Sequence, residues 1–95
     1  MNESTPSDQE LAELLSLTMK VDSHGTTTYR NHLGQKHRVH GPAIIYPGGE
    51  KRWYQHDRLH REDGPAIEWG DGRNDWLLNG EYLTEEQFNE RIKSV

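Results

Sequence analysis

A decapeptide occurs twice in this chain. His37-Arg38-Val39-His40-Gly41-Pro42-Ala43-Ile44-Ile45-Tyr46 returns 23 residues later as His60-Arg61-Glu62-Asp63-Gly64-Pro65-Ala66-Ile67-Glu68-Trp69. The same offset carries Gly49 onto Gly72, Trp53 onto Trp76 and the position of Asp57 onto that of Gly80. Seven or more identities at one spacing, a tryptophan among them, mark a repeat array. A fainter copy precedes these two: Gly25 and Tyr29 align with Gly49 and Trp53, with one extra residue before Gly34. A unit this short cannot bury an apolar face alone, so neighbouring copies must stack on one another.

Each unit reads as two short strands and two turns. Ala43 to Tyr46 is rich in β-branched and aromatic residues. Pro47-Gly48-Gly49 then reverses the chain into a second strand, Lys51 to Gln55. The next unit repeats this with Ala66 to Trp69, a Gly70-Asp71-Gly72 turn, and Asn74 to Leu78. Asn79-Gly80 is the strongest hairpin signal, because a two-residue hairpin loop needs positive φ. Pro42 and Pro65 have no amide hydrogen and belong at strand starts. Alternation puts Ile44 and Tyr46 on one face, with Ile67 and Trp69 equivalent to them, and Ile45 and Glu68 on the other.

The expected fold is α+β, mainly β: a short antiparallel sheet of 23-residue hairpin repeats over residues 24–83, with a helix at each end. Leu11, Leu14, Leu15, Thr18 and Met19 have helical spacing, which predicts an N-terminal helix over 7–20 opened by the capping box Ser7 to Glu10. Residues 1–6 ahead of it are expected to be disordered. Thr84-Glu85-Glu86-Gln87 is a second capping box, and it predicts a C-terminal helix over 84–93 with Phe88 and Ile92 on one face. The whole is one domain.

So few units leave a thin core, and the composition agrees. Only 31% of the 95 residues are hydrophobic, against about 45–50% apolar residues, glycine included, in an ordinary domain. No cysteine is present, which excludes disulfides, thiolate metal sites and a cysteine nucleophile. No apolar run approaches the roughly 20 residues of a membrane span. The acidic, polar start MNESTPSDQE does not have the pattern of a secretory signal. These features predict a soluble, cytoplasmic protein with no membrane partner.

Charge is unevenly placed. The formal net charge is -5, yet residues 24–61 sum to +5 while both flanks are acidic. All six histidines lie in the same central segment. This basic waist could seat an acidic partner, protein or nucleic acid, or it could pair with the acidic flanks. His37, His40 and His60 invite a metal reading, but His40 aligns with Asp63, and His37 and His60 are repeat positions that suit a recurring structural hydrogen bond. No metal and no other cofactor is expected. Glu62, Asp63, Asp71 and Asp75 are the acid–base candidates; no nucleophile accompanies them, and an aspartate in a Gly-Asp-Gly turn is ordinary. Trp53 and Trp76 read first as packing between hairpins. Leu77 and Leu78 are adjacent, so one of them must pack outside the main face.

The unit Trp/Tyr…Asn/Asp-Gly…His-Arg…Gly-Pro-Ala…Trp/Tyr…Gly resembles a divergent MORN repeat. Residues 60–88, HREDGPAIEWGDGRNDWLLNGEYLTEEQF, are similar to small bacteriophage and prophage proteins that close on a Leu-Thr-Glu-Glu-Gln/Glu-Phe helix. The resemblance covers roughly residues 24–92. It implies an elongated antiparallel sheet that serves as scaffold or interaction surface. The chain departs from ordinary MORN units at His37-Arg38 and Gly41-Pro42, which sets aside the membrane binding of some members. The resulting expectation is a non-enzymatic protein-interaction module, a phage or prophage accessory protein that binds and inhibits a host protein, such as one of a defence system, in the cytoplasm of an infected or lysogenic bacterium. Arg38, Arg52, Trp53, Tyr54, Arg58 and Arg61 are the expected partner contacts, because Trp and Arg dominate binding hot spots. The alternatives are a nucleic-acid-binding module using the basic waist, and a histidine metal-binding protein or structural assembly subunit. The thin core also leaves a homodimer open.

Overall fold

A computed structural model describes residues 16–93. Nine strands occur among them: β1 (Thr18–Val21), β2 (Thr27–Arg30), β3 (Ile44–Ile45), β4 (Lys51–Arg52), β5 (Tyr54–Gln55), β6 (Arg58–Leu59), β7 (Ile67–Glu68), β8 (Asn74–Leu78) and β9 (Glu81–Leu83). Seven form one antiparallel sheet in the order β1-β2-β3-β4-β7-β8-β9, and β5 with β6 makes a separate two-stranded ribbon. One helix, α1 (Glu85–Lys93), follows β9 and packs on β8 and β9. The expected mainly β, antiparallel architecture with a closing helix is what the chain adopts.

The N-terminal expectation needs correction. Thr18, Met19 and Lys20, placed in a helix by their spacing, belong to β1, so the sheet begins at Thr18 rather than at residue 24. The extended pairing Thr18↔Arg30, Met19↔Tyr29, Lys20↔Thr28 and Val21↔Thr27 gives these residues a ladder that an isolated short helix cannot match. Within the expected helix Ser16 is helical and Leu17 is neither helix nor strand; residues 7–15, the capping box among them, and the tail 1–6 lie outside the described residues. The strand expected over Lys51 to Gln55 is broken at Trp53 into β4 and β5. Its two expected neighbours are shorter than predicted, whereas Asn74–Leu78 is as predicted. At the other end Thr84 is the N-cap: Gln87 N–H donates to Thr84 Oγ1 (3.0 Å), and Thr84 N–H donates to Gln87 Oε1 (2.9 Å).

The repeat is written into the backbone hydrogen bonds. Tyr46 N–H donates to Glu50 O and Trp69 N–H to Arg73 O; Ala43 N–H donates to Arg52 O and Ala66 N–H to Asp75 O. Asp57 N–H reaches back to Lys36 O as Gly80 N–H reaches back to Leu59 O. The faint first copy obeys the same rules: His37 N–H donates to Tyr29 O as His60 N–H does to Trp53 O. Tyr29 therefore stands where Trp53 stands one unit later.

Both two-residue hairpin loops, His56-Asp57 and Asn79-Gly80, have positive φ throughout (52°, 67°, 49° and 82°). This is the turn that Asn-Gly announces, and its twist suits the flanking strands. The core is small and lies toward the C-terminal half. Ala66, Ile67 and Leu77 are buried to within 1% of full burial, with Leu59 and Trp69 packed against them. Ala43, Ile44 and Phe88 are the other buried apolar residues among those described. In the preceding unit Lys36 and Tyr54 occupy the places of Leu59 and Leu77, and the Lys36 ammonium sits 4.7 Å from the Tyr54 ring centroid. A cation–π contact thus replaces an apolar one.

Candidate functional site

The residues that sequence marks as chemically interesting converge on one recurring construction. Between each repeat histidine and the following Gly-Pro-Ala, the chain leaves the ladder as a short loop. Tyr29 uses its N–H on Ala43 O and its C=O on His37 N–H, so residues 38–42 bulge outward between those two bonds. Trp53 does the same with Ala66 O and His60 N–H around residues 61–65. The arginine that opens each loop folds back over the aromatic ring it encircles. Arg38 lies 3.9 Å from the Tyr29 centroid and Arg61 lies 3.6 Å from the Trp53 centroid. Each then donates from Nη1 to the carbonyl of the loop's proline, Pro42 or Pro65, at 3.2 Å.

Glycine leaves the arginine head room inside this clasp. A Cβ on Gly41 or Gly64 would lie 2.7 or 2.8 Å from the guanidinium carbon. The second clasp is the more elaborate. Arg61 also donates to Asp63 Oδ1 (2.8 Å) and Glu68 Oε2 (2.9 Å), and the Trp53 indole N–H donates to the same Glu68 oxygen (3.0 Å). With 18% of its side chain exposed, Arg61 has its donors engaged within the chain.

The repeat histidines brace the hairpin loops. His37 is 1% exposed, and its Nδ1 accepts from His56 N–H at 3.0 Å; His60 is 7% exposed, and its Nδ1 accepts from Asn79 N–H at 2.8 Å. The acceptor role of Nδ1 places the ring proton on Nε2, which in His60 faces Glu62 Oε2 at 3.0 Å. The recurring structural hydrogen bond expected of these positions is therefore present. His56 packs on the His37 ring with centroids 4.4 Å apart. No group of three or more His, Cys, Asp or Glu side chains with metal-holding geometry occurs among the described residues.

The six expected partner contacts divide sharply. Arg38, Trp53 and Arg61 are parts of the clasps. Arg52 is paired with Glu50 and stands over Trp69 at 5.3 Å. Burial disfavours its charge, but the hydrogen bond and charge of Glu50 outweigh this and raise its pKa above the ordinary value. Tyr54 carries Lys36 on its ring. Arg58 alone of the six is exposed, and its side chain has no hydrogen bond or ion pair among the described residues. The structure thus brings five of the six into internal contacts.

Of the carboxylates, Asp71 accepts from its neighbour Arg73 through backbone N–H (3.1 Å) and guanidinium (2.9 Å), which hold its pKa below the usual range. Asp22 is held low by the backbone N–H groups of Thr26 and His24. Both are turn-forming carboxylates. Asp75 accepts from the Trp69 indole at 2.9 Å. A cleft of about 250 Å³ runs between the two clasp loops, with Val39, His40, Trp53 and Glu62 on its walls. Leu78 and Ile92 meet in a groove beside α1, so Leu78 is the leucine that packs outside the main face.

One surface escaped the sequence reading. All four residues of β1 are exposed, with Met19 at 58% and Val21 at 54%. The alternation Met19-Lys20-Val21 could have revealed it, but the helical spacing of the preceding leucines masked that signal. No helix among the described residues is long and apolar enough to cross a membrane. Compared with known proteins, the chain matches no family model, no curated protein and no solved structure.

Proposed function

We propose that this chain is a non-enzymatic protein-interaction module, a phage or prophage accessory protein that binds and inhibits a host protein. The observation that carries the reading is where apolar surface is left in water. The chain has little hydrophobic sequence, yet Met19 and Val21 stand side by side on an edge strand, more than half exposed. Paired apolar side chains at an open sheet edge are an attachment point for another chain, whereas apolar residues exposed singly carry no such meaning. Arg38, Arg61 and Asp71, among the polar side chains that could do chemistry or grip nucleic acid, are instead tied into clasps and turns. The resemblance to small phage proteins supports a host protein as the target.

The test uses the tagged full-length chain as bait in host lysate, with and without nuclease. The expected result is a stoichiometric protein that survives nuclease, re-forms a complex from the two purified components and loses activity in it. Recovery that disappears with nuclease would assign nucleic acid as the ligand and overturn the reading.

A further inference from the structure

We infer that the outer edge of β1 is the docking strand, and that it takes an extended acidic segment of the partner in which carboxylate and apolar side chains alternate. The inference rests on the interaction-module reading and names its surface and ligand chemistry. It begins with the hydrogen bonds of β2. Tyr29 directs its N–H to Ala43 and its C=O to His37, away from β1. Thr28 and Arg30 must therefore face β1, and their cross-strand partners Lys20 and Thr18 face back to them. The backbone groups of Met19 and Val21 consequently point out of the sheet. Among the described strands β1 pairs with β2 alone. An added strand would pair at these two residues.

Side chains then set the chemistry. Met19 and Val21 project from one face of the sheet, and Lys20 from the other, together with Arg30 of the neighbouring strand. Lys20 and Arg30 are both exposed. A strand laid along this edge meets an apolar row on one face and a cationic row on the opposite face. Alternating carboxylate and apolar residues satisfy both at once. A second copy of β1 satisfies them poorly. The antiparallel register that sets Met19 against Val21 of the copy also sets Lys20 against its own equivalent, and like charges directly opposite are destabilising. The chain's own acidic segment Glu10-Leu11-Ala12-Glu13-Leu14-Leu15 has helical rather than alternating spacing, so it cannot sort carboxylates to one face.

The experiment uses the full chain, isotope-labelled, with a fluorescein-labelled peptide of alternating Glu and Val and its Lys-Val counterpart as control. The Glu-Val peptide should bind and the Lys-Val peptide should not. Met19 and Val21 amides should exchange freely before addition and be protected after it. In Lys20→Glu/Arg30→Glu, affinity for the Glu-Val peptide should fall about tenfold or more and preference should pass to the Lys-Val peptide. Met19→Pro should abolish binding of both, since it removes an outward N–H that β2 does not use, while β7 and β8 amide signals stay in place. Absence of Glu-Val binding, or Met19 and Val21 amides already protected in the free chain, would overturn the inference. A host partner that binds the charge-reversed variant unchanged would overturn the edge assignment and leave the interaction module standing. Failure to find any protein partner would remove the module itself.

Discussion

At the scale of single residues, His60 shows how a residue type that invites functional readings serves the fold. Its ring is almost fully buried and accepts the backbone N–H of a left-handed turn residue, Asn79. His60→Ala removes that acceptor together with a nearly buried ring, with an expected loss of about 1–3 kcal/mol. His32→Ala, at an exposed histidine, should change stability by less than about 0.5 kcal/mol. Urea denaturation followed by tryptophan fluorescence separates the two; equal small effects would remove the bracing role. Arg61 gives a second test. Its stacking on Trp53 and its fork of donors to Asp63, Pro65 and Glu68 need a planar guanidinium. Arg61→Lys keeps the charge and loses the fork, with an expected loss of about 1–3 kcal/mol and a shift in Trp53 emission. Gly64→Ala should reproduce much of this loss, because its Cβ would push the guanidinium off the ring. Variants at these positions alter folding and binding together, so a binding surface has to be mapped with exposed residues such as Lys20 and Arg58.

At the scale of elements, the hairpins are held by turns whose side chains and φ angles do most of the work. The folded-state pKa values of Asp22 and Asp71 lie below their ordinary values because backbone N–H groups, and for Asp71 the Arg73 guanidinium, favour the charged form. A carboxylate depressed in the folded state stabilises it above the ordinary carboxylate pKa. That contribution is lost as pH falls from the ordinary value through the folded one. Asp22→Asn/Asp71→Asn keeps turn-forming oxygens but cannot titrate, so its urea midpoint should drop less than the wild type's between about pH 6 and about pH 3. An equal drop would assign the acid sensitivity to other groups. These turns were legible in the sequence, since Gly-Asp-Gly and Asn-Gly name their geometry locally. The repeat and the Thr84 cap were legible for the same reason: the bonds run between close or regularly spaced residues. Two elements were not. The break at Trp53 is imposed by the Arg61–Pro65 excursion on a neighbouring segment, which no local pattern around Trp53 reports. β1 was hidden because Leu14, Leu15, Thr18 and Met19 satisfy a helical period, while only Met19-Lys20-Val21 satisfies a strand. Sequence picked out Arg38, Trp53 and Arg61 as partner contacts; their place in the clasps, and the link to Glu68 above all, become visible only when the strands are paired.

At the scale of the whole molecule, the sheet is a gradient rather than a uniform array. The apolar cluster of Leu59, Ala66, Ile67, Trp69 and Leu77 lies between β6 and β8, and α1 packs on the adjoining end of the sheet. One unit earlier Ala43, Ile44 and Tyr46 keep the apolar pattern, but Lys36 and Tyr54 replace the two leucines, and β1 buries none of its four side chains. Stack energetics run through nearest neighbours, so an opening that begins at β1 breaks only the β1–β2 contact, whereas one at β7 must break the apolar cluster. Inward-facing amides show the gradient most cleanly, because each is bonded whenever its strand is in place. Lys20 N–H, directed at β2, should therefore exchange through a local opening well below the global unfolding free energy, Ala43 N–H through a larger one, and Ala66 N–H only through global unfolding. Substitutions sharpen the test. Ile67→Val removes a methylene from the cluster and should lower the exchange free energy of Ala66 by the full global destabilisation, about 0.5–1.5 kcal/mol, with less effect at Lys20. Val21→Thr should change Lys20 exchange and leave Ala66 untouched. One exchange free energy shared by all three amides would mean that the repeats unfold as a single unit and that the edge is as firmly held as the core. A strand that opens alone fits a docking edge, since the segment that pairs with it supplies the second neighbour that β1 lacks among the described residues.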